Sequence, residues 1–255
     1  MADYRADLAA KMAPAVMADR VSRTKAIYKQ LGSWIEKYRG GMPAGFAAAS
    51  IQWESDGIAT TPGDPNLGEY GYYQVTSEFP TTIGLPAASR FDNETNVFLG
   101  LMDYQLAVAR LAAKNPATVL PGTVDSWKLA RLSFAIGAGG TAALLAAATA
   151  WRRPVAGKVY DTIRAYVDAG NAVAAGSQPA DLVWYRVHTV DLVWDIGQQA
   201  MPFQSVGAPT KVPDPPTGKY VLPAALASSF RPALGPILVI GAAIVLGAYL
   251  LRRHA

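Results

Sequence analysis

Glu54 closes an apolar run, Phe46 to Trp53, and opens a stretch of different character: Ser55, Asp56 and Gly57, then glycines, prolines and the tyrosines Tyr70, Tyr72 and Tyr73. Cleaving a glycosidic bond needs a carboxylic acid that protonates the leaving oxygen, and a helix end opening into a loop can hold one beside apolar side chains. The same arrangement also describes an ordinary solvated Glu-Ser pair at a helix terminus. Flat amphipathic rings such as Tyr72 and Tyr73 pack on sugar faces and hydrogen-bond through their hydroxyls, although clustered tyrosines equally serve as half-buried packing. Glu54 is therefore a candidate for such an acid, with Tyr72 and Tyr73 as candidate substrate-binding neighbours.

Further along, Asp92 can cap a helix beginning at Asn93, and Asn96, Gly100 and Tyr104 then fall on one face of it. Gly100 permits close approach of another helix, and Asn96 and Tyr104 bring polar groups beside it, so both join the candidate binding set. Other chemistries find little support. His188 and His254 are far apart and there is no cysteine, so no metal centre, Ser-His triad or disulfide framework is expected. Gly137-x-Gly139 precedes alanine-rich helix, which is not the context of a phosphate loop, and no cofactor is expected. The net charge of +4 and pI near 9.2 are mildly basic. Because the Lys and Arg residues are scattered, an anionic wall or membrane surface fits better than nucleic acid.

Three of these stretches together resemble the soluble lytic transglycosylase family. Glu54-Ser55 is similar to its Glu-Ser signature and Gly71-Tyr72-Tyr73-Gln74 to its Gly-Leu-Met-Gln. Asp92, Asn96 and Gly100, with Tyr104 beyond them, are similar to its Asp-Pro-x-x-Asn-Ile-x-x-Gly motif. The resemblance covers about residues 43–150 and implies a lysozyme-like α fold that cleaves peptidoglycan, with Glu54 as the catalytic residue and Ser55 and Gln74 among the substrate-binding residues. In that chemistry one glutamate acts as acid and then base, the substrate's N-acetyl group assists, and an anhydro sugar is left. Lysozyme-type hydrolysis would instead draw a second carboxylate from Asp56, Asp64 or Glu69. A fourth element departs from the pattern. Ser133-Phe134-Ala135-Ile136-Gly137 stands where the family has Ala-Tyr-Asn-Ala-Gly, so Phe134 occupies a candidate binding position without a hydroxyl, and Ala135 lacks the carboxamide. Orientation of the glutamate or grip on the glycan must then come from elsewhere, Tyr72, Tyr73 or Gln74 for instance, or activity is reduced.

The elements that must position these residues read as mainly α. Helix-like runs occur up to Tyr38 and at 44–54, 93–113, 124–136, 141–151, 155–175 and 181–200, separated by Gly and Pro clusters, while strand-like alternation is nearly absent. The tetrapeptide DLVW occurs at Asp181–Trp184 and Asp191–Trp194, a spacing that lets both copies share an apolar helix face. The expected plan is an N-terminal helical segment over 1–42, a lysozyme-like transglycosylase domain over 43–150 and a helical extension over 151–203. A Pro/Gly-rich linker over 204–232 and a C-terminal transmembrane helix over 233–252 complete it.

That last expectation rests on LGPILVIGAAIVLGAYLL, roughly 18 uncharged residues followed by Arg252 and Arg253. The uncharged stretch 132–150 is interrupted by Gly137, Gly139 and Gly140 and reads as a core helix, a turn and another helix. The start of the chain has no uninterrupted apolar core of a secretory signal. A wall-degrading head with such an anchor fits a phage virion protein that opens the wall for genome delivery, and a virion membrane explains the anchor most directly. A bacterial inner-membrane enzyme of an envelope machine, facing the periplasm, is the competing origin, and a catalytically weak wall-binding or structural membrane protein is the alternative class. The expected partners are peptidoglycan strands, lipid, and other virion or envelope proteins.

Overall fold

The computed structural model describes residues 3–171, 178–202, 206–209 and 215–216. The fold is mainly α: α1 Tyr4–Lys11, α2 Pro14–Tyr38, α3 Ala44–Ser55, α4 Phe79–Thr82, α5 Asn93–Lys114, α6 Val124–Trp151, α7 Val159–Asp168 and α8 Ala180–Ala200. Among the described residues there is no strand, only isolated bridges pairing Tyr70 with Pro62 and with Val75. The helices expected at 44–54, 93–113 and 181–200 are α3, α5 and α8. The run expected over 155–175 is shorter: α7 lies between Gly157 and Gly170, both at positive φ, where glycine leaves the helical region without strain. The stretch 132–150 lies within α6, whose backbone turns at Gly137 (φ 77, ψ 158).

α3 is the central element. Its alanine-rich sequence presents almost no polar side chain until its last turn, and nearly every residue from Gly45 to Gln52 is buried between α2 and α8. Gly45 and Gly197 make this possible, because a Cβ on either would collide with the other's backbone where α3 crosses α8. The N-terminal and C-terminal helices are not separate from the middle of the chain. Ile27, Leu31 and Ile35 of α2 and Leu192, Val193 and Ile196 of α8 share one core with Phe46, Phe98 and Leu101. A second core joins Leu132 and Leu144 of α6, Ile163 of α7 and Val187 of α8. Both DLVW tryptophans pack on these cores, Trp194 with its ring 4.8 Å from Phe46.

The expected linker begins as part of the head. Gly207 donates to the Gly41 carbonyl at 2.9 Å and accepts from Trp127 Nε1 at 3.1 Å, across a surface where Gly41 and Gly122 leave no Cβ in the way. Most of the remaining linker and the expected transmembrane helix over 233–252 lie outside the described residues, as does His254. Among the described residues one helix, α6, is long and apolar enough to cross a membrane by length and composition. It packs against α5, α7 and α8 as a core helix.

Candidate active site

α3 carries Glu54 to its penultimate position and stops there, because Asp56 adopts a left-handed conformation (φ 52) and Gly57 follows at φ 78. α2 braces this end. Arg20 donates to Gln52 Oε1 at 3.1 Å, Gln52 donates to Asp56 at 2.8 Å, and the Arg20 guanidinium lies 4.8 Å from the Trp53 ring centre. The buried Ser55 hydroxyl faces the carbonyls of Ile51 and Tyr72, at 3.2 and 3.0 Å, so it fastens the following loop to the helix.

That loop is held from the other side by α5. Asp92 caps α5 by accepting the Thr95 amide at 2.8 Å, which sets Asn96 beneath the loop. The Asn96 carbonyl accepts the Tyr73 amide at 3.1 Å, and its amide donates to Tyr70 and Arg90 carbonyls, both at 2.9 Å. Its donors and acceptor are committed, so its place is that of a loop clamp. Tyr73 is fully buried, with its hydroxyl on the Ala47 carbonyl at 3.0 Å and its ring filling the space left by Gly100. Tyr72 is buried too, and burial pushes its hydroxyl pKa up. Gln74 stands at φ 51, a conformation uncommon for a non-glycine residue, and its amide donates to Thr61 and Gly71 carbonyls at 3.0 and 2.8 Å. It lines an open cleft together with Glu69, Thr76, Phe79, Asp103 and Phe134.

Glu54 does not line that cleft itself and is connected to it through Arg131 and Phe134. Its carboxylate forms an ion pair with Arg131 Nη1 at 2.5 Å, and the same nitrogen donates to the Tyr104 hydroxyl at 2.9 Å. The Arg131 guanidinium lies 5.5 Å from the Phe134 ring centre, and Phe134 stacks on Tyr104 at 5.3 Å. Arg131 is 2% exposed and Glu54 19%. Burial alone would lower the Arg131 pKa, but the charge of Glu54 and the contact with Tyr104 reverse this and raise it, so the guanidinium is fixed as a cation. Burial pushes Tyr104 up to about 12.

The candidate residues therefore divide by position. Gln74 and Phe134 line the cleft and Glu54 is partly exposed, whereas Ser55, Tyr72, Tyr73, Asn96 and Tyr104 are buried and line no part of it. Of the possible second carboxylates, Asp56 faces α2, Asp64 accepts the Asn66 amide at 2.8 Å, and Glu69 lines the cleft while accepting the Asp64 amide at 3.1 Å. Asp103 also lines the cleft and, like Arg131, is not among the residues expected from sequence. The available signal for Arg131 was a single cation within the apolar run Leu129 to Leu132. Among the described residues no three His, Asp or Glu side chains gather as metal ligands. No family model and no curated protein matches the chain.

Proposed function

We propose that the head is a lytic transglycosylase that cleaves the MurNAc-GlcNAc bond of peptidoglycan, with Glu54 as its acid and base. The observation that carries this reading is convergence. Arg131 of α6 ties the Glu54 carboxylate of α3 to the Tyr104 hydroxyl of α5, Tyr104 stacks on Phe134 of α6, and Phe134 lines a cleft with Gln74 of the loop, so separate stretches of sequence supply one connected set of side chains. In the reaction Glu54, protonated from solvent on the oxygen that Arg131 does not hold, gives that proton to the bridging oxygen as the MurNAc C1–O bond breaks, and GlcNAc leaves with a new hydroxyl. The carboxylate then takes the proton of the MurNAc C6 hydroxyl as that oxygen closes on C1, giving the anhydro sugar. The acid is restored without a water molecule. Glu69 and Asp103 on the cleft keep lysozyme-type hydrolysis as a variant of the same reading.

The apolar stretch 234–251 in the sequence supports attachment to a membrane, and a wall-opening head on such an anchor suits a virion protein acting in genome delivery. A second reading, a head that binds glycan without cleaving it, is favoured by the Arg131 ion pair, which occupies the Glu54 carboxylate. Incubation of purified sacculi with the full chain separates the two. Cleavage solubilises the glycan and Glu54→Gln stops it; a wild-type chain that sediments with sacculi and releases nothing supports the binding module instead.

A further inference from the structure

α6 presents Phe134 toward the site and Ala135 toward the second core, and neither side chain offers a polar atom. Arg131, one turn earlier on the same helix, does. We infer that Arg131 is the positioning residue of Glu54, the group through which α5 and α6 fix the carboxylate against the cleft; the inference rests on the transglycosylase reading. The guanidinium is pinned on three sides, by Glu54, by the Tyr104 hydroxyl and by the Phe134 ring. Its partner Tyr104 is itself immobile: it is fully buried and packed on Phe134, on Tyr73 at 6.1 Å and on Phe46 at 6.4 Å. A planar, always charged fork held in this way directs a carboxylate more tightly than a hydroxyl or a carboxamide does. Core filling alone does not account for it, because burying a guanidinium carries a desolvation penalty that an apolar side chain of equal volume avoids. Arg131 acts through Glu54 and is itself walled from the cleft by Phe134, so it sets rate and leaves glycan binding alone.

The test is kcat and KM of the full chain on soluble peptidoglycan glycan strands, with near-ultraviolet circular dichroism as the check on folding. Arg131→Met lowers kcat by about 100-fold, the loss expected for a misplaced catalytic group, and leaves KM within about two-fold. Arg131→Lys recovers part of the rate, and Tyr104→Phe, which frees the guanidinium, gives an intermediate kcat. If Arg131→Met does not fold, a folded Tyr104→Phe chain with wild-type kcat overturns the inference. It is also overturned if Arg131→Met keeps kcat, if the loss appears in KM, or if Arg131→Lys recovers nothing. In each of these the wild type still cleaves and the transglycosylase reading stands. A wild-type chain inactive on the strands overturns that reading, and this inference with it.

Discussion

Besides the catalysis proposed for it, Glu54 has a structural duty, and the two together lead to an unusual stability prediction. Replacing a catalytic carboxylate commonly relieves an unfavourable site and stabilises the fold. Here Glu54 is also the anion that balances a guanidinium only 2% exposed. Glu54→Gln keeps an acceptor but removes the charge, so it lowers the unfolding free energy by about 2 kcal/mol. This is less than the roughly 3–5 kcal/mol of a fully buried pair, because Glu54 is partly hydrated. Urea denaturation at unchanged m-value measures it, and a stabilised Glu54→Gln chain would show that the pair carries no structural weight. That Glu54 closes a helix and opens a loop was legible in the sequence, from the apolar run before it and the glycines after it. Arg131 was not, since nothing local says that an arginine on one helix meets a glutamate far upstream on another. For the same reason Asn96 and Tyr73 looked like ligand contacts: sequence shows a polar group, whereas only the fold shows that its hydrogen bonds are already made.

Helices were the most readable part of the chain. α3, α5 and α8 follow from apolar periodicity bounded by Pro, Gly and Asp, and the turn at Gly137 follows from glycines within an apolar run. What periodicity does not give is how one helix caps another. α7 has no local side-chain cap. Its first amides, Val159 and Tyr160, donate instead to the carboxylate of Asp125 on α6, at 2.9 and 2.7 Å. Burial pushes the Asp125 carboxyl from 3.8 up to about 6, against the lowering effect of those two amides. A folded pKa above the unfolded one means that the native state holds its proton more tightly. The contribution is therefore complete below about 3.8 and is lost as pH rises through about 6. Asp125→Asn flattens the pH dependence of stability over that window, and Asp125→Ala flattens it too while costing about 1–2 kcal/mol at pH 4, as for other lost helix caps, and less toward pH 7. Thermal unfolding from pH 4 to pH 7, referenced to the wild type, checks both. An Asp125→Asn chain with the wild-type slope would contradict the assignment.

The described parts of the chain form one body, in which the N-terminal helix α2 and the late helix α8 enclose α3, and the segment after α8 returns to bind across Gly41 and Trp127. A Pro/Gly-rich composition signals a linker, and here composition misleads at its start, because the glycines serve close backbone approach. Gly41→Val places a side chain where Gly207 lies, so it displaces this segment, costs about 1–3 kcal/mol as other overpacked contacts do, and alters the Trp127 environment. Tryptophan fluorescence and the urea midpoint report the change, and unaltered values for both would mean that the contact is not kept in solution. The bracing of α3 by α2 and α8 gives Glu54 a fixed platform, and the proposed function depends most on what that glutamate does to glycan. The most direct measurement is mass spectrometry of muropeptides released from sacculi by the full chain and by Glu54→Gln. A catalytic Glu54 yields anhydro-ended muropeptides from the wild type and none from the variant; release that persists in Glu54→Gln, or no release by the wild type, would contradict that role.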